Sequence, residues 1–279
     1  MVNRKELEPE SSPQAAFGAR LRSSREARGW KQDDLAVHMG ISSGHISGVE
    51  TARKMPSLRF AKAADVAFGL AGTADTFERR WREMLQGSLL EGFPEYVGYE
   101  SRAVEIRLFE VGLIPGPLQT REYAAAIEDG FVQRGTITPE QADERVSFLI
   151  ERQAALARPM PPMVIVVMDE SCVRRPIGEP AVMAGQLAHL IEFAALPNTV
   201  LQIAPFGMGA RRPFNRLVNL LTLSDRAVVS YVESQTHGHL ERDITSVVPL
   251  MRAYHQLQAE SLSQAASVDM INQARKGTP

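Results

Sequence analysis

The N-terminal part of the chain repeats short apolar clusters and glycines at intervals that predict a series of short helices. Phe17 and Leu21 share one face of a first helix. A second helix carries Leu35 and Ala36 and ends at Gly40, because glycine readily adopts the left-handed conformation that closes many helices. The pattern therefore predicts two consecutive helices, each with one buried face.

A third predicted helix begins at Ser42 or Ser43, since a serine hydroxyl can accept a hydrogen bond from a free N–H group of the first turn. Ile46 and Val49 lie three residues apart in this helix and share a face. The short segment between the second and third helices is typical of a turn between two packed helices.

A fourth predicted helix follows Pro56-Ser57, and a more polar fifth helix occupies residues 73–86. Phe77, Trp81 and Met84 form an apolar stripe along the fifth helix. The polar remainder of this helix favours a connector between two parts of the chain.

Beyond residue 90 the pattern changes to a mixture of helical and β-prone segments bounded by glycine or proline. Helices are predicted at 96–109, 119–127, 139–157 and 181–195, and a last one from about Leu240. Strands are predicted at 163–168 and in the runs TVLQIAPF, RLVNLLTL and AVVSYVE, the last two joined by a turn at Ser224-Asp225. The predicted fold class is α+β, with an all-α five-helix head followed by a larger mixed α/β C-terminal domain.

Length and charge divide the chain further. Its 279 residues suffice for two domains, and we predict a flexible tail at 1–14, a head at 15–70, a connector helix at 71–90 and a C-terminal domain at 91–279. The net charge is −2, but residues 15–70 carry nine basic and five acidic side chains, which gives the head +4 and the remainder −6. A wholly basic nucleic-acid coat is excluded, whereas a basic head on an acidic body predicts two kinds of partner.

Cys172 is the only cysteine, which excludes an internal disulfide and a zinc site built from several cysteines. The start of the sequence lacks the apolar core of a signal peptide, and no apolar run approaches the ~18 residues that cross a bilayer. We therefore expect a cytoplasmic, nucleoid-associated protein with no membrane contact, no metal and no cofactor.

Residues 31–57, KQDDLAVHMGISSGHISGVETARKMPS, contain the most specific signal in the chain. A helix-turn-helix needs a small residue where its helices touch, a glycine in the turn and apolar residues that fix the second helix on the first. Ala36, Gly40, Ile46 and Val49 supply these at spacings of four, six and three residues. The alternative is a helical bundle with no nucleic-acid role, which the basic charge of the head disfavours.

On these residues the sequence resembles the Xre family of bacterial and phage regulators over residues 17–70. The resemblance implies that Gln32 holds a DNA phosphate and that Arg25 and Glu50 form an internal salt bridge. The DNA-binding residues it implies are Lys31, Gln32, Ser42, Ser43, Gly44, His45, Ser47, Gly48, Thr51, Arg53 and Lys54. The structural residues of the helix-turn-helix it implies are Arg25, Leu35, Ala36, Gly40, Ile46, Val49 and Glu50.

Two features depart from the family pattern. Ala52 stands where the family usually has glycine, and a left-handed alanine costs about 1–2 kcal/mol. Gly44 and Gly48, expected on the groove-facing side, remove two side chains from the reading surface. Direct base readout is therefore expected to be sparse, so specificity depends on the spacing of two heads, on close backbone approach or on DNA shape.

The body resembles the large C-terminal domain of WhiJ-like actinobacterial regulators from about Trp81 to Ile271, in segments such as GLIPGPLQTREYA, ERQAAL, MDESCVRRPIG and LPNTVLQIAPF. Regulators of this group are often encoded beside a small protein, in pairs described as toxin–antitoxin-like. The resemblance therefore implies an antitoxin-like body that binds a small partner protein.

No catalytic residues are predicted in the body. Cys172 has no histidine in its own segment, and Asp169-Glu170 is interpreted as a cap rather than an acid–base pair. His237 and His239 are interpreted as part of an exposed turn rather than as metal ligands. Five aromatic residues are interpreted first as core packing and second as the lining of a ligand pocket: Trp81, Phe93, Tyr96, Tyr99 and Phe109.

We therefore predict a sequence-specific DNA-binding transcriptional regulator. A homodimer is expected, because two heads about 34 Å apart match half-sites on one face of the duplex. The C-terminal domain is expected to bind a small partner protein that modulates DNA binding. A small-molecule effector bound in this domain is the alternative, and an enzyme based on Cys172 or the His237/His239 pair is a third hypothesis.

Overall fold

The computed structural model describes residues 12–54, 56, 58–86, 92–234 and 237–277, and the chain divides into two compact units at residues 89/90. The first unit is all-α. Its helices are α1 (Pro13–Glu26), α2 (Gln32–Met39), α3 (Ser43–Glu50), α4 (Leu58–Phe68) and α5 (Phe77–Gln86). Gly40 closes α2 in the left-handed conformation, at φ 66°, as predicted.

The N-terminal tail predicted at 1–14 includes two residues that belong to the first helix. Residues 1–11 lie outside the described part of the chain. The Ser12 hydroxyl caps α1 by accepting from the Ala15 N–H group, and Pro13 and Gln14 belong to the helix. Proline suits this position because the first N–H groups of a helix have no partner within it.

Apolar side chains from the helices form the core of the head. At most 2% of the surface is exposed at Phe17, Leu21, Leu35, Ile46 and Phe77. The buried faces predicted for the first three helices are therefore confirmed. Gly18 allows α1 and α3 to meet backbone to backbone, since a Cβ atom at this position would overlap the Val49 carbonyl oxygen.

The helix predicted to be a connector packs as the fifth helix of the head. The three residues of its predicted apolar stripe are buried. The Asp65 carboxylate accepts from the first N–H groups of α5, those of Phe77 (2.6 Å) and Glu78 (3.0 Å). Trp81 Nε1 donates to the Pro56 carbonyl oxygen at 2.7 Å. The compact unit therefore extends beyond the boundary expected at residue 70.

The second unit packs helices against a six-stranded sheet. Its helices are α6 (Phe93–Glu100), α7 (Arg121–Gln133), α8 (Pro139–Leu156), α9 (Ser171–Arg174), α10 (Pro180–Ala194), α11 (Ile244–Glu260) and α12 (Gln264–Lys276), with 3₁₀ helices at Gly116–Leu118 and Phe206–Arg211. Its strands are β1 (Glu105–Glu110), β2 (Met163–Asp169), β3 (Thr199–Ala204), β4 (Val218–Thr222), β5 (Val228–Glu233) and β6 (Gly238–Glu241). The predicted α+β class is confirmed.

Two of the predicted body segments were wrong. The helix expected at 96–109 ends at Glu100, and residues 105–110 form β1 because they pair with both β2 and β4. The turn expected around His239 is a strand, since β6 pairs with β5. The other predicted helices and strands of the body are confirmed, but α7 extends six residues beyond its expected end at 127, and the final predicted helix is divided into α11 and α12.

The strand order is β3-β2-β1-β4-β5-β6. The pairs β1–β2 and β2–β3 are parallel, whereas β1–β4, β4–β5 and β5–β6 are antiparallel. Phe109 near the end of β1 lies opposite Val218 at the start of β4. The carboxyl ends of β1 and β5 therefore meet the amino end of β4 at the same side of the sheet.

Both faces of the sheet are covered by apolar packing. On one face Leu108 clusters with Leu187 of α10 and Ile271 of α12. On the other face Phe109 clusters with Tyr254 of α11. Because neighbouring residues of a strand point to opposite faces, β1 contributes to both clusters.

β3 lies at one edge of the sheet, where α12 satisfies its outward hydrogen-bonding groups. The Leu201 N–H group donates to Gln264 Oε1 at 3.3 Å, and the Ile203 N–H group donates to Ser267 Oγ at 2.9 Å. The Ile203 carbonyl oxygen accepts from the Leu262 N–H group at 2.9 Å. This edge strand therefore finds its partners within the chain.

Candidate nucleic-acid interface

The helix α3, expected to be the recognition helix, has a buried side and an open side. Ile46, Val49 and Glu50 are buried and fix α3 in the head. Among the contact residues predicted between positions 42 and 48, those that are half-buried or exposed are Ser42, Ser43, Gly44, His45 and Ser47. The Ser42 hydroxyl also accepts from the His45 N–H group at 3.3 Å and so begins the helix. The open side of α3 is polar and carries small side chains.

Glu50 is the centre of a buried ionic network that joins α1, α2 and α3. Arg25 donates to both of its carboxylate oxygens, with Nε–Oε1 at 2.6 Å and Nη2–Oε2 at 2.9 Å. Gln32 Nε2 donates to Glu50 Oε2 at 2.8 Å. The implied salt bridge is thus present, and Gln32 is held at the start of α2 by an internal bond. The phosphate contact of Gln32 stays a prediction.

Gly48, predicted to face the groove, is instead buried beneath Lys54. A Cβ atom at Gly48 would lie 2.8 Å from Cγ and 2.9 Å from Cδ of Lys54, so the missing side chain lets Lys54 run close to the helix. Thr51 Oγ1 donates to the Ser47 carbonyl oxygen at 2.6 Å and accepts from Arg53 Nε at 2.9 Å. Gly48 and Thr51 therefore position two exposed cations.

Ala52 adopts the left-handed conformation, with φ 52°. The tight turn that results brings the N–H groups of Arg53 and Lys54 back to the Gly48 carbonyl oxygen, at 2.8 and 3.0 Å. The departure from the family's glycine therefore carries a backbone strain of about 1–2 kcal/mol. This strained turn directs the two cations along α3.

The cations of the head fall into two groups. The arginines of α1 and of the loop after it are bound internally: Arg20 to Asp75, Arg22 to the Glu50 carbonyl oxygen, Arg25 to the Glu50 carboxylate, and Arg28 to the carbonyl oxygens of Ala67 and Phe68. Beyond these arginines, four described cations between residues 15 and 70 make no salt bridge with another described residue: Lys31, Arg53, Lys54 and Arg59. Arg59 is exposed and was missed from sequence, because it lies outside the motif that marks the others.

His45 is more enclosed than the serines beside it. Its ring stacks on that of Phe60 in α4, with centroids 5.3 Å apart. Burial and the neighbouring Lys54 charge lower its pKa, so the ring is neutral at pH 7. His45 can therefore offer DNA a hydrogen bond but not a charge.

The body residues considered for catalysis are not assembled into one site. Cys172 is buried, its thiol donates to the Glu110 carbonyl oxygen at 3.5 Å, and burial raises its pKa. Asp169 accepts from the Ser171 N–H group, and Glu170 accepts from the Phe206 N–H group. In the described ranges, no three His, Cys, Asp or Glu side chains converge as metal ligands.

The five aromatic residues considered for a pocket lie in separate places. Trp81 packs in the head, and Phe109 packs on the α11 face of the sheet. Phe93, Tyr96 and Tyr99 belong to α6 and pack with the opposite face. They do not line one pocket together.

Both units match family models. Residues 16–76 match a helix-turn-helix domain, and residues 93–273, more than half of the chain, match a domain of unknown function, DUF5753. The chain belongs to the DUF5753 family. The helix-turn-helix match indicates an Xre-like DNA-binding regulator in front of the DUF5753 domain. No curated protein and no solved structure matches this chain. Over the described residues, no helix combines the length and apolar character needed to cross a membrane.

Proposed function

We propose that this DUF5753 protein is a sequence-specific transcriptional regulator that binds double-stranded DNA as a homodimer. In this proposal α3 enters the major groove with Ser43 and Ser47 beside the base edges. Lys31, Arg53 and Lys54 contact phosphates on either side. The observation that carries the proposal is the group of cations at the ends of the helix-turn-helix that make no salt bridge with a described residue, next to a polar open side of α3.

The chemistry of this surface fits phosphate binding better than extensive base reading. Lysine and arginine supply affinity and salt dependence, whereas hydroxyl groups hydrogen-bond base edges. Gly44 leaves part of the open side without a side chain, and His45 is held against Phe60. Sequence discrimination is therefore expected to come in part from two heads at a fixed spacing of about 34 Å and from DNA shape.

Arg53→Ala and Lys54→Ala test this surface. Each is expected to weaken binding to every duplex and to reduce the salt slope by about 0.9 for each phosphate that the variant no longer neutralises, hence by about 1.8 in a dimer. The measurement is fluorescence anisotropy over a series of NaCl concentrations, on an operator found by genome-wide mapping of bound sites and on an unrelated duplex. Ser47→Ala is expected to narrow the difference in affinity between the two duplexes.

The matched control is Arg79→Ala. Arg79 of α5 is also exposed, but it pairs with Asp75, which precedes the helix, and with Glu83 one turn further along it. This variant is expected to keep the wild-type affinity and salt slope. An unchanged slope for Arg53→Ala, or an equal effect of Arg79→Ala, contradicts the assigned surface.

We further propose that the DUF5753 domain binds a small partner protein encoded beside it and that the complex acts in the cytoplasm. The WhiJ-like resemblance and the −6 charge outside the head support this assignment. Co-expression with the product of the adjacent reading frame is expected to yield a complex in size-exclusion chromatography with light scattering, which also reports the dimer. Separate elution in both orders of mixing opposes it.

The proposal assigns no catalysis to this domain. Cys172 is buried and holds its proton, and His239 lies on β6 without a converging ligand set among the described residues. Cys172→Ala and His239→Ala are expected to leave DNA binding and its regulation unchanged. A small-molecule effector is the second candidate regulator, and a polar cluster in the C-terminal domain favours it.

A further inference from the structure

A cluster of polar side chains lies where the carboxyl ends of β1 and β5 meet the amino end of β4. Asn219 of β4 lies opposite Leu108 on one side and Tyr231 on the other. Since side chains two residues apart in a strand share a face, Glu110 and Glu233 lie on this same face, one step nearer the end of the sheet. The strand order β3-β2-β1-β4-β5-β6 reverses direction between β1 and β4, and ligands of open α/β sheets bind beyond the carboxyl ends of strands at such reversals.

Among the described residues, the cation of this cluster is already neutralised. Arg152 of α8 donates to both carboxylate oxygens of Glu100, at 2.5 and 2.7 Å. Its guanidinium also lies 5.1 Å from the ring centroid of Phe93 and 5.5 Å from that of Tyr96. This buried pair is complete without Glu110 or Glu233.

Asn219 carries an acceptor that lacks a donor. Its side chain is buried, and Nδ2 donates to Tyr96 Oη at 3.2 Å. The Tyr96 hydroxyl donates its own proton to Glu100 Oε1 at 2.8 Å, so it can only accept from Asn219, and this fixes the orientation of the amide. Asn219 Oδ1 is buried with no hydrogen-bond partner, which is costly for a carbonyl oxygen.

Two carboxylates lie one step beyond this amide, level with Leu217, and neither makes a salt bridge to a described residue. At the usual spacing of strands, the backbones at Glu110 and Glu233 are about 10 Å apart, with β4 between them. Tyr231 Oη donates to Glu233 Oε1 at 2.9 Å. Burial and the Glu233 charge raise the pKa of Glu110 to about 8, and burial raises that of Glu233. With both carboxyl groups ionised the cluster has more negative than positive charge, and their raised pKa values follow from burial and from the absence, among the described residues, of a neutralising cation beside them.

We propose that Glu110, Asn219 and Glu233 bind a small organic cation that carries N–H donors, an alkylammonium or an alkylguanidinium. The N–H groups donate to Asn219 Oδ1 and to one or both carboxylates, and the positive charge balances the carboxylates. The inference deepens the effector alternative of the proposed function, since a ligand bound here is a candidate effector.

The surroundings favour an organic cation over a metal ion. The Tyr96 and Tyr231 rings stack with centroids 4.3 Å apart. The Phe93 ring contacts both, with centroid distances of 5.9 Å to Tyr96 and 6.1 Å to Tyr231. The Arg152 guanidinium already lies over the Phe93 and Tyr96 rings, so these rings favour the ligand through contact with its alkyl chain. A metal ion gains nothing from such rings, and the described part of the chain gathers no three metal-ligating side chains here.

The test uses the full-length protein and butylguanidinium, with the uncharged and similarly shaped butylurea as control ligand. Isothermal titration calorimetry and thermal melting are measured without DNA, at ligand concentrations up to about 10 mM, ten times the dissociation constant of a weak small ligand. We expect butylguanidinium to bind and to raise the melting temperature, while butylurea does neither. Glu110→Gln, Glu233→Gln and Asn219→Leu are each expected to weaken binding by about tenfold or more.

Glu105→Gln, at the opposite end of β1, is the matched control and is expected to bind like the wild type. Asn219→Leu also removes the unsatisfied acceptor, so it is expected to melt no lower than the wild type without ligand. If that variant fails to fold, the two glutamine variants carry the test. No binding of butylguanidinium, equal effects of butylurea, or variants within twofold of the wild type overturn the site. Because DNA is absent, such a failure leaves the DNA-binding proposal untouched.

Discussion

Ala52 concentrates backbone strain at a single position in the head. Its φ of 52° costs about 1–2 kcal/mol in an alanine. Ala52→Gly removes this cost, although the greater freedom of glycine in the unfolded chain returns about 0.4–1 kcal/mol. We expect the free energy of unfolding to rise by up to about 1 kcal/mol, measured by urea denaturation with tryptophan fluorescence. Gly40→Ala, at φ 66°, serves as the control of opposite sign and is expected to destabilise.

Glu110 makes the stability of the C-terminal domain depend on pH. Its pKa is raised from 4.5 to about 8, so the folded state binds the proton more tightly than the unfolded state. The resulting stabilisation is complete below pH 4.5 and is lost as the pH rises to about 8, at no more than about 1.4 kcal/mol per pH unit. Besides burial, the groups that influence this titration are Glu233, which raises the pKa of Glu110, and the Val111 N–H group and Arg152, which lower it.

Glu110→Gln mimics the protonated side chain and removes this pH dependence. The variant is expected to gain stability relative to the wild type as the pH is raised from 5 to 8, measured by thermal melting in a buffer series. Glu105→Gln, on the same strand, is expected to follow the wild-type curve more closely. A constant difference between Glu110→Gln and the wild type across this range contradicts the assignment.

Single residues were predictable where local backbone chemistry decides their role. Gly40 was recognised because the end of a helix needs a left-handed residue, whatever packs around it. Gly18 was not, because its small size matters only when α3 lies against α1. The sequence also does not mark Asn219 and Arg59 as functional residues. The orientation of the Asn219 amide depends on a tertiary contact with Tyr96, and Arg59 is distinguished only because it makes no salt bridge with another described residue.

At the scale of elements, Asp65 decides how α5 joins the head. Its carboxylate accepts from the N–H groups of Phe77 and Glu78, which have no partners inside the helix. Asp65→Ala is expected to lower the free energy of unfolding by about 1–2 kcal/mol, measured by urea denaturation with Trp81 as a fluorescent probe. Glu83→Ala, exposed on α5 in the same unit, is the control and is expected to change stability by less than about 0.5 kcal/mol.

Helices and strands were predicted correctly where glycine or proline marks their ends. They were predicted wrongly where a strand forms only because it pairs with distant strands. Residues 93–110 contain aromatic residues at near-helical spacing, so α6 and β1 read as one helix. β1 is a strand because β2 and β4 complete its hydrogen bonds from both sides. β6 is short and begins with glycine, so its own sequence indicates a turn until β5 is placed beside it.

On the scale of the whole molecule, separation of charge was predictable from composition, whereas the sheet topology was not. The +4 charge of the head follows from counting its side chains. The structure shows which of these cations make no salt bridge with another described residue. The parallel pairing of β1 with β2 joins segments more than fifty residues apart. No local pattern specifies which distant strand a given strand will meet.

This charge separation predicts a strong salt dependence for the complete regulator. The four described cations of each head that make no salt bridge with another described residue give eight in the proposed dimer, so a slope of log K against log salt of about −7 is expected if all contact phosphate. Anisotropy titrations from about 50 to 200 mM NaCl measure it. A slope of about −3.6 indicates that one head binds alone.

The hydrogen bonds that β3 donates to Gln264 and Ser267 limit how copies of this domain can associate. A strand from another molecule cannot add to β3 without displacing α12. Sheet extension between molecules is thereby directed to β6, the strand at the opposite edge. When β6 pairs with β6 of a second copy, both remaining edges are β3 and already covered. Such pairing closes as a twofold dimer and cannot propagate into a fibre.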